Sequence, residues 1–336
     1  MNTGSSSVRP DSPRVLVVGY ANATQHVLEA MYACGTPPVA LLTLAEDHSR
    51  SFSDRGDFKT FVEQKGMAVI PIRHVNDAET SEIVRRLQAD ALFVMGWSQI
   101  VGPAILALFP RGSFGLHPSY LPSNKGRAPI SWTILNGETK SAVSFFRLED
   151  AVDSGVVHVQ VVFDVAPRET ATTLYAKVGK AIHEGIPQLL QQLERQRFLE
   201  VRSGQRESYN FARRPEDGCI DWSRGAAEID RLIRATTRPY PGAFTARRSS
   251  RTRSWEKVIF WESDLLVPSG RLRSFRALPG QVVGRTADGD ILVSTGDGVL
   301  VFKEVELVTG GPLRAKDYRI REGERLGFGM SDLFFP

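Results

Sequence analysis

The stretch that decides the fold is SFGLHPSYLPSNKGRAPISWTILNG, residues 113–137. Within twelve positions it holds three prolines and a glycine: Pro118, Pro122, Gly126 and Pro129. Proline removes a backbone donor and glycine adds freedom, so the sequence predicts a shaped loop with His117 at its entrance, then a short helix at residues 130–136. Polar loops of this kind often carry chemistry. A structural crossover, in which His117 only satisfies a local backbone group, is an equally good interpretation.

Upstream of this stretch, short apolar runs alternate with segments of helical periodicity. The predicted strands are residues 14–19, 38–44, 68–72 and 91–95, and the predicted helices are residues 24–33, 58–65 and 80–88. Strands that lack alternation and are separated by helices indicate a parallel sheet buried on both faces. Ligands gather at the carboxyl ends of such strands, where the 96–100 loop and the His117 loop lie. No G-x-G-x-x-G follows Gly19, so the dinucleotide fingerprint is absent.

Downstream, the pattern changes from α/β to mostly strands. The predicted elements are strands at residues 141–147 and 156–163, an acidic turn at 148–155, helices at 170–195 and 223–236, and short strands at 257–262, 281–285, 290–294 and 299–308. The last four indicate a small β-barrel. The predicted division is a disordered leader (1–12), a first domain (13–200), a linker (201–218), a second domain (219–320) and a tail (321–336).

Composition bounds the class of protein. With 336 residues, 42% apolar and 24% charged, the chain is expected to form two globular domains, and no apolar run reaches the roughly 20 residues of a membrane helix. Cys34 and Cys219 make no redox or metal spacing, which favours a reducing cytoplasm. A net charge of +4 is mild for a nucleic-acid binder. The arginine-rich run is interpreted as a solvated turn between strands: Arg247, Arg248, Arg251 and Arg253.

His117 and Asp153 are the strongest candidate catalytic pair. Each is expected in a loop near the predicted strand 141–147, and a carboxylate beside a histidine fixes its tautomer and stabilises the imidazolium of a general base. Asp150 and Glu149 are rivals for the partner role. No G-x-S-x-G elbow is present and the histidines show no metal-ligand spacing, so no metal is predicted.

Two groups of motifs carry a family resemblance. LHPSYLPSNKGRAPISWTILNGET at 116–139, with AVDSG at 151–155, resembles the formyltransferases that use 10-formyltetrahydrofolate. RRPEDGCIDWSRGAAEIDRLIRATTRPYPGAF at 213–244 and GQVVGRTADGDILVSTGDGVLVFKEVEL at 280–307 are similar to the C-terminal domains of the methionyl-tRNA and 4-amino-4-deoxyarabinose members of that family. The resemblance implies a Rossmann-like formyltransferase domain with a mostly parallel sheet, followed by a small OB-like β-barrel.

The resemblance also implies roles for named residues. An amine attacks the formyl carbon of the folate, the histidine matching His117 assists proton transfer, and the aspartate matching Asp153 supports the charge. The expected folate contacts, largely through backbone groups, are Met95, Gly96, Trp97, Ser98, Ile100, Val101, Leu148, Asp150 and Val152. The expected acceptor contacts are Ser119, Asn124, Lys125, Arg127 and Pro129. As a lone tryptophan, Trp97 is also a candidate core cover.

The sequence departs from the family pattern at Gly115. The family usually has Asn-x-His, whose asparagine donates to the oxyanion formed at the formyl carbon, but residues 115–117 are Gly-Leu-His. Losing one such donor costs on the order of 10²–10³ in rate. A backbone N–H or another side chain (Ser98, Ser119 or Asn124) is the favoured replacement. The acceptor or water as donor, and a protein that binds without turnover, remain open.

The predicted acceptor is a small amine. Residues 43–60, TLAEDHSRSFSDRGDFKT, replace the basic insertion of the methionyl-tRNA enzymes and have no Lys/Arg cluster to neutralise phosphates. A nucleotide-linked amino sugar is favoured over tRNA, with a siderophore or antibiotic amine as alternatives. No membrane partner is predicted, and a homodimer is expected only by analogy.

Overall fold

The apolar runs of the first half of the chain form the strands of one seven-stranded sheet. Its strands are β1 (Val15–Val18), β2 (Ala40–Leu44), β3 (Val69–Ile72), β4 (Ala91–Val94), β5 (Gly112–His117), β7 (Lys140–Arg147) and β8 (Val157–Asp164). In the order β3-β2-β1-β4-β5-β7-β8, the pairs from β3 to β5 are parallel, and β7 runs antiparallel to both β5 and β8. The predicted, mostly parallel sheet is confirmed.

The structure is a computed structural model that describes residues 12–45, 55–56, 58–149, 155–248, 254–266, 277–307 and 311–327. Its contacts divide the chain into two units. The first unit comprises Met1–Pro129, Thr139–Val165 and Leu174–Phe211, and the second comprises Ile130–Glu138, Ala166–Thr173 and Ala212–Pro336. The domain and linker boundaries drawn from the sequence stay predictions.

The helices follow the apolar stripes of the sequence. They are α1 (Asn22–Ala33), α2 (Lys59–Lys65), α3 (Ala78–Leu87), α4 (Pro103–Leu106), α5 (Pro129–Leu135), α6 (Ala171–Glu194) and α7 (Ala226–Thr236). Along α6 the apolar residues at spacing four are all buried: Leu174, Val178, Ile182, Ile186 and Leu190. Each such side chain contributes about 1.5–3 kcal/mol relative to exposure, which explains why this stripe predicts the helix so well. Among the described residues, every helix is too short or too polar to cross a membrane.

The predicted loop with His117 at its entrance follows β5, a strand that the sequence did not predict and whose last residue is His117. The three prolines and Gly126 all lie beyond residue 117, so nothing in the strand interrupts its hydrogen-bond ladder. Phe114 is fully buried and packs edge-on against Phe93 of β4, at 6.0 Å between ring centroids. The helix begins at Pro129, where the fixed φ of proline suits a first turn.

The strand order of the first unit reverses between β1 and β4, which leaves a crevice at their carboxyl ends. Gly96, just beyond β4, adopts a φ of +70°, a conformation that favours glycine. Its carbonyl accepts the backbone N–H groups of Tyr20 (3.1 Å) and Ala21 (3.3 Å) beyond β1. The turns that follow the two strands are therefore fixed to each other.

The second unit contains a six-stranded antiparallel sheet. Its strands are β10 (Ala243–Arg248), β11 (Trp255–Leu265), β12 (Val282–Arg285), β13 (Ile291–Ser294), β14 (Val299–Leu307) and β15 (Gly311–Arg314). The order is β10-β11-β14-β13-β12, with β15 on β14, and short 3₁₀ helices lie at Pro215–Gly218 and Ala315–Asp317. The four strands predicted here are confirmed. Trp222, Phe260 and Phe302 form an aromatic centre of its core.

The interpretation of Arg247 and Arg248 as a solvated turn is wrong, because both residues end β10. Arg247 is only 7% exposed, and its guanidinium binds Glu324 at 2.9 Å and the Tyr318 hydroxyl at 2.9 Å. A buried arginine breaks the apolar alternation that marks a strand, which hid β10 in the sequence. Arg251 and Arg253 lie outside the described residues.

A cavity of about 640 Å³ lies within the second unit. Its lining includes Cys219, Trp222, Lys257 and Arg325. Burial raises the pKa of the Cys219 thiol, which keeps it protonated at neutral pH. Beside β11 and β14 the unit also holds a buried carboxylate, Asp230, which accepts from two arginines and a serine hydroxyl.

The remaining two strands form a small sheet of the first unit. They are β6 (Lys125–Gly126) and β9 (Tyr209–Asn210), which pair in parallel. This pairing joins the loop after His117 to a segment some 80 residues later in the chain, which the local sequence pattern gave no reason to expect.

Candidate active site

His117 is the last residue of β5 and only 6% exposed. Its Nε2 lies 3.0 Å from the backbone carbonyl oxygen of Asn124. A carbonyl can only accept, so Nε2 carries the hydrogen and donates it. In the neutral ring Nδ1 then holds the lone pair that a general base needs. The hydrogen bond to a local backbone group, which a purely structural His117 would make, is thus present. It also selects the tautomer that a general base needs.

Short hydrogen bonds shape the loop that follows. The Ser119 hydroxyl donates to the Ser123 carbonyl at 3.0 Å, and the Ser144 hydroxyl of β7 donates to the Ser119 carbonyl at 2.7 Å. Asn124, at a φ of +60°, donates its side-chain amide to the Pro129 carbonyl at 3.1 Å. The loop is therefore held internally and from the sheet, so the carbonyl that orients His117 has a fixed position.

Residues 203–210, here called the 203–210 segment, bind the same loop from outside. The backbone N–H of Asn124 donates to the Ser208 hydroxyl at 2.8 Å, and the Asn210 side-chain amide donates to the Asn124 side-chain oxygen. Lys125 forms an ion pair with Glu207 at 2.7 Å, which lowers the pKa of the Glu207 carboxyl. Asn124 is thereby contacted through both its backbone and its side chain.

The loop beyond β4, residues 95–101, is fixed from two directions. The Thr24 hydroxyl of α1 donates to the Met95 carbonyl at 2.6 Å. The Asn76 side chain donates to the Ile100 carbonyl at 2.9 Å and accepts the Gly102 N–H at 2.7 Å. Gln99 binds the backbone of the residues after β3 in the same way, accepting from Val75 N–H at 2.8 Å and donating to the Arg73 carbonyl at 2.9 Å.

Sequence reasoning missed Asn76 and Gln99 as positioning residues. Each uses both polar ends of one amide to join two loops, and their contacts span 24 to 26 residues. The one available signal was their place: an Asn in the loop after β3 and a Gln in the loop after β4, at the strand ends where ligands gather.

Trp97 combines both roles considered for it. Its ring packs edge-on against Tyr20 at 5.7 Å between centroids, in a small cluster with Ala21 and Leu44. Its indole Nε1 is nevertheless buried without a hydrogen-bond partner among the described residues. Leaving such a donor unsatisfied costs about 1–3 kcal/mol, so this atom is a natural site for a ligand acceptor.

Gly115 lies two residues before His117 on the same face of β5, and Phe146 of β7 pairs with it. A Cβ at residue 115 would lie 2.8 Å from Phe146 Cζ and 2.8 Å from Leu148 Cδ2. The space in which an asparagine side chain would lie is therefore filled by apolar groups. The absence of the asparagine is coupled to the packing of its neighbours.

Two protein-family models match this chain. The family model described as "Formyl transferase" matches residues 15–190, which is more than half of the chain, and "Formyl transferase, C-terminal domain" matches residues 213–321. The chain belongs to the formyl transferase family. The two matches agree with an α/β first unit and an antiparallel second unit.

Solved structures share the fold of this member of the formyl transferase family at low identity. HypX from Aquifex aeolicus in complex with tetrahydrofolic acid has a TM-score of 0.62 at 15% identity, covering 90% of this chain and 46% of HypX. The chain thus spans about half the length of HypX. An N-formyltransferase from Helicobacter canadensis, in complex with folinic acid and dTDP-3-aminofucose, has a TM-score of 0.59 at 17% identity, covering 90% of this chain and all (100%) of that one.

A third structure is the sugar 3N-formyltransferase WlaRD, in the presence of dTDP and 5-N-formyl-THF. It has a TM-score of 0.58 at 17% identity, covering 89% of this chain and 98% of that one. At such identities the likeness carries the fold alone, and the ligands named belong to those proteins.

Within the formyltransferase fold, the predicted site residues fall into two neighbouring groups. Those of the acceptor group lie in the loop after β5: Ser119, Asn124, Lys125, Arg127 and Pro129. Those of the folate group that follow β4 are Met95, Gly96, Trp97, Ser98, Ile100 and Val101. Val94 of β4 pairs with Gly115 of β5, so both groups leave the sheet at the same edge. Lys125 is occupied by Glu207, whereas Arg127 is exposed.

The other predicted partners lie on the acidic turn. Leu148 is described, half-buried, and donates its backbone N–H to the Ser113 carbonyl at 2.8 Å. Asp150, Val152 and Asp153 lie outside the described residues. The convergence of His117 and Asp153 on one cleft therefore stays a prediction.

Proposed function

We propose that this formyltransferase transfers the formyl group of 10-formyltetrahydrofolate to the amine of a small acceptor, a nucleotide-linked amino sugar. One observation carries the proposal. The buried imidazole of His117 ends β5 directly beside the 95–101 loop of the parallel neighbour β4, in a chain that both formyl transferase models match.

The 95–101 loop has features that suit a folate. Its backbone is held rigidly by Thr24 and Asn76, so its N–H and C=O groups are preorganised for a planar heterocycle. The unpartnered Nε1 of Trp97 adds one donor beside an apolar cluster, the combination that ligand sites commonly show. We expect these groups to hold the pterin, together with Leu148, Asp150 and Val152 on the acidic turn.

The proposed chemistry uses the tautomer of His117. The acceptor nitrogen attacks the formyl carbon, the new C–N bond forms, and the bond from that carbon to N10 of the folate breaks. The lone pair at Nδ1 of His117 takes the proton that the amine loses and returns it to N10, which leaves as the N–H of tetrahydrofolate. Asp153 is proposed to stabilise the imidazolium between these two steps.

The oxyanion donor is the least conventional part of the site. Of the three side chains considered, beside a backbone N–H, as replacements for the family's asparagine, Ser119 and Asn124 donate within the loop, to the carbonyls of Ser123 and Pro129. We therefore favour Ser98, on the 95–101 loop, as the donor. The apolar packing at Gly115 favours one alternative, a protein that binds folate and acceptor without turnover.

The nature of the acceptor rests on charge. Arg127 is exposed beside His117's loop and gives an anionic group, such as a nucleotide diphosphate, a bidentate partner. Two structurally similar formyltransferases were solved with dTDP or dTDP-3-aminofucose, which supports the same class. Most of residues 43–60 lie outside the described residues, so the argument against tRNA rests on the sequence.

The test is a panel assay with 10-formyltetrahydrofolate and amino sugars linked to nucleotides, hydroxylated amino acids or aminoacylated tRNA. Release of tetrahydrofolate and the mass of the formylated product are read together. We expect turnover with a sugar nucleotide, and a loss of about 10²–10⁴ in kcat for His117→Gln.

The matched control is His158→Gln. His158 is also a buried histidine, 8% exposed, whose Nδ1 contacts the Leu199 carbonyl at 2.7 Å. We expect it to leave kcat unchanged. Folate binding without turnover on any acceptor would favour the binding protein instead, and turnover on tRNA alone would overturn the acceptor class.

A further inference from the structure

A second group of titratable side chains lies in the first unit, where α1 meets α6. His26 and Glu29 are one turn apart on α1, and His183 comes from α6. Among the described residues this is the group of three or more potential metal ligands whose donor atoms all lie close together, within 4.8 Å of one another. The sequence alone did not indicate this group, because His183 is 183 − 29 = 154 residues from Glu29.

The distances fit a cation better than direct hydrogen bonds. Glu29 Oε2 lies 3.6 Å from His26 Nδ1 and 3.4 Å from His183 Nε2. Charge-assisted N–H···O bonds are about 2.7–2.9 Å long, so both contacts are too long to be such bonds. Ligands at about 2.0–2.1 Å from a tetrahedral Zn²⁺ stand roughly 3.3–3.4 Å apart, which is close to both separations.

A buried nitrogen atom that lacks a hydrogen-bond partner also supports a cation at this place. His26 Nδ1 is buried and has no hydrogen-bond partner among the described residues. A buried ring nitrogen without a partner is costly, and it is rare enough to require an explanation. A cation between the three side chains would satisfy this nitrogen and neutralise the carboxylate at once.

Neighbouring groups orient the donor atoms. The Gln25 side chain donates to Glu29 Oε1 at 2.9 Å, which leaves Oε2 to face the imidazoles. A Cβ at Gly179 of α6 would lie 2.6 Å from His26 Nε2, so the ring rests directly on the helix backbone and turns Nδ1 toward Glu29. Such outer contacts fix ligand orientation in known metal sites.

We propose that His26, Glu29 and His183 bind one divalent transition-metal cation of the Zn²⁺ class. Two imidazoles and one carboxylate suit Zn²⁺, Co²⁺ or Ni²⁺, whereas Mg²⁺ and Ca²⁺ prefer oxygen ligands throughout. The side chains are 31%, 31% and 42% exposed, so a cation can enter from solvent and water can fill the fourth position. The cation would join α1 to α6 across the first unit.

The test uses the full chain without an affinity tag, stripped with a chelator and titrated with Zn²⁺ by calorimetry and with Co²⁺ by visible absorption. We expect one equivalent of Zn²⁺, an intense tetrahedral Co²⁺ spectrum, a higher Tm with Zn²⁺, and no competition from Mg²⁺. Changing an outer contact costs metal sites about 10–100-fold in affinity, so His26→Gln and His183→Gln should each cost at least about 100-fold.

Two further variants separate ligation from general effects. Gly179→Ala keeps all three ligands but displaces the His26 ring, and should weaken binding by about 10-fold or more. The control is His74→Gln: His74 faces Asp77 at 3.9 Å with the same i,i+3 spacing as His26 and Glu29, but is not part of a three-ligand group. It should bind Zn²⁺ like the wild type.

The outcomes are decisive in either direction. No stoichiometric Zn²⁺, an octahedral Co²⁺ spectrum in the wild type, or unchanged affinity in His183→Gln would overturn the proposal. Circular dichroism of the metal-free variants checks folding, and the wild-type Co²⁺ spectrum decides the matter even where a variant is unstable.

Discussion

The packing at Gly115 makes a direct prediction about restoring the family's asparagine. In Gly115→Asn, the new Cβ would lie 2.8 Å from Phe146 Cζ and 2.8 Å from Leu148 Cδ2. Carbon atoms in contact prefer about 3.5–4.0 Å, so both neighbours must retreat by roughly 1 Å. The atoms met first are the far ends of side chains, which can give partly, but Phe146 is only 4% exposed and has little room.

The expected cost follows from overpacking. Extra heavy atoms forced into a packed site typically destabilise by about 1–3 kcal/mol. For a unit of this size that corresponds to a fall of roughly 2–12 °C in Tm. We therefore expect Gly115→Asn alone to be less stable than the wild type and to show no gain in formyl transfer, since the amide cannot reach its place beside His117.

The assay compares thermal and urea unfolding of Gly115→Asn with Gly204→Asn, a control because a Cβ at residue 204 would meet nothing within 4 Å. A second variant, Gly115→Asn with Phe146→Val, opens the space and should recover part of the lost stability and raise kcat. If Gly115→Asn alone is as stable as Gly204→Asn, within about 0.5 kcal/mol, the packing argument is refuted.

Two further changes test the contacts around and beyond the loop. Asn210→Ala removes the amide bound to Asn124 and should lower kcat about 10-fold or more, with little change in the KM for 10-formyltetrahydrofolate in steady-state kinetics, because the misplaced loop carries the base and the proposed acceptor contacts but not the 95–101 loop. Glu207→Gln, at the exposed end of its ion pair with Lys125, should change kcat less than twofold. Asp230→Asn should destabilise the second unit by about 2–4 kcal/mol in urea unfolding, because this carboxylate is 1% exposed and holds two guanidinium groups, whereas the partly exposed Asp264→Asn should cost under about 1 kcal/mol.

The sequence predicted best the elements whose apolar residues form a continuous run or recur at a regular spacing. The α6 stripe was found because its buried residues recur every four positions, and β1, β2 and β4 were found because their short apolar runs are buried almost throughout. It failed where one residue contradicted the pattern. β5 carries two glycines and a histidine, and β10 ends in arginines, so local composition concealed both strands although their backbones pair normally.

At the candidate site as well, residues in contiguous motifs were predicted, and residues that act from distant parts of the chain were not. Motif spacing located His117, Asn124 and the residues after β4, because the family pattern is contiguous in sequence. Asn76 and Asn210 were missed since each acts on a loop 24 or more residues away, and polar side chains in loops carry no periodicity. The His26 and His183 pair was missed for that reason as well.

These contacts lead to one mechanical consequence for catalysis. The carbonyl of Asn124 accepts from Nε2 of His117, and the N–H and side chain of Asn124 are bound by Ser208 and Asn210. Groups more than 80 residues downstream therefore fix the position of the carbonyl that holds the hydrogen on Nε2. If the carbonyl moved away by 1 Å, the 3.0 Å bond would lengthen beyond hydrogen-bond range, and the ring would lose the contact that holds the hydrogen on Nε2. In the proposed mechanism the 203–210 segment is therefore a positioning element for His117, and a lower kcat with an unchanged KM for 10-formyltetrahydrofolate in Asn210→Ala is the measurement that separates this role from a purely structural one.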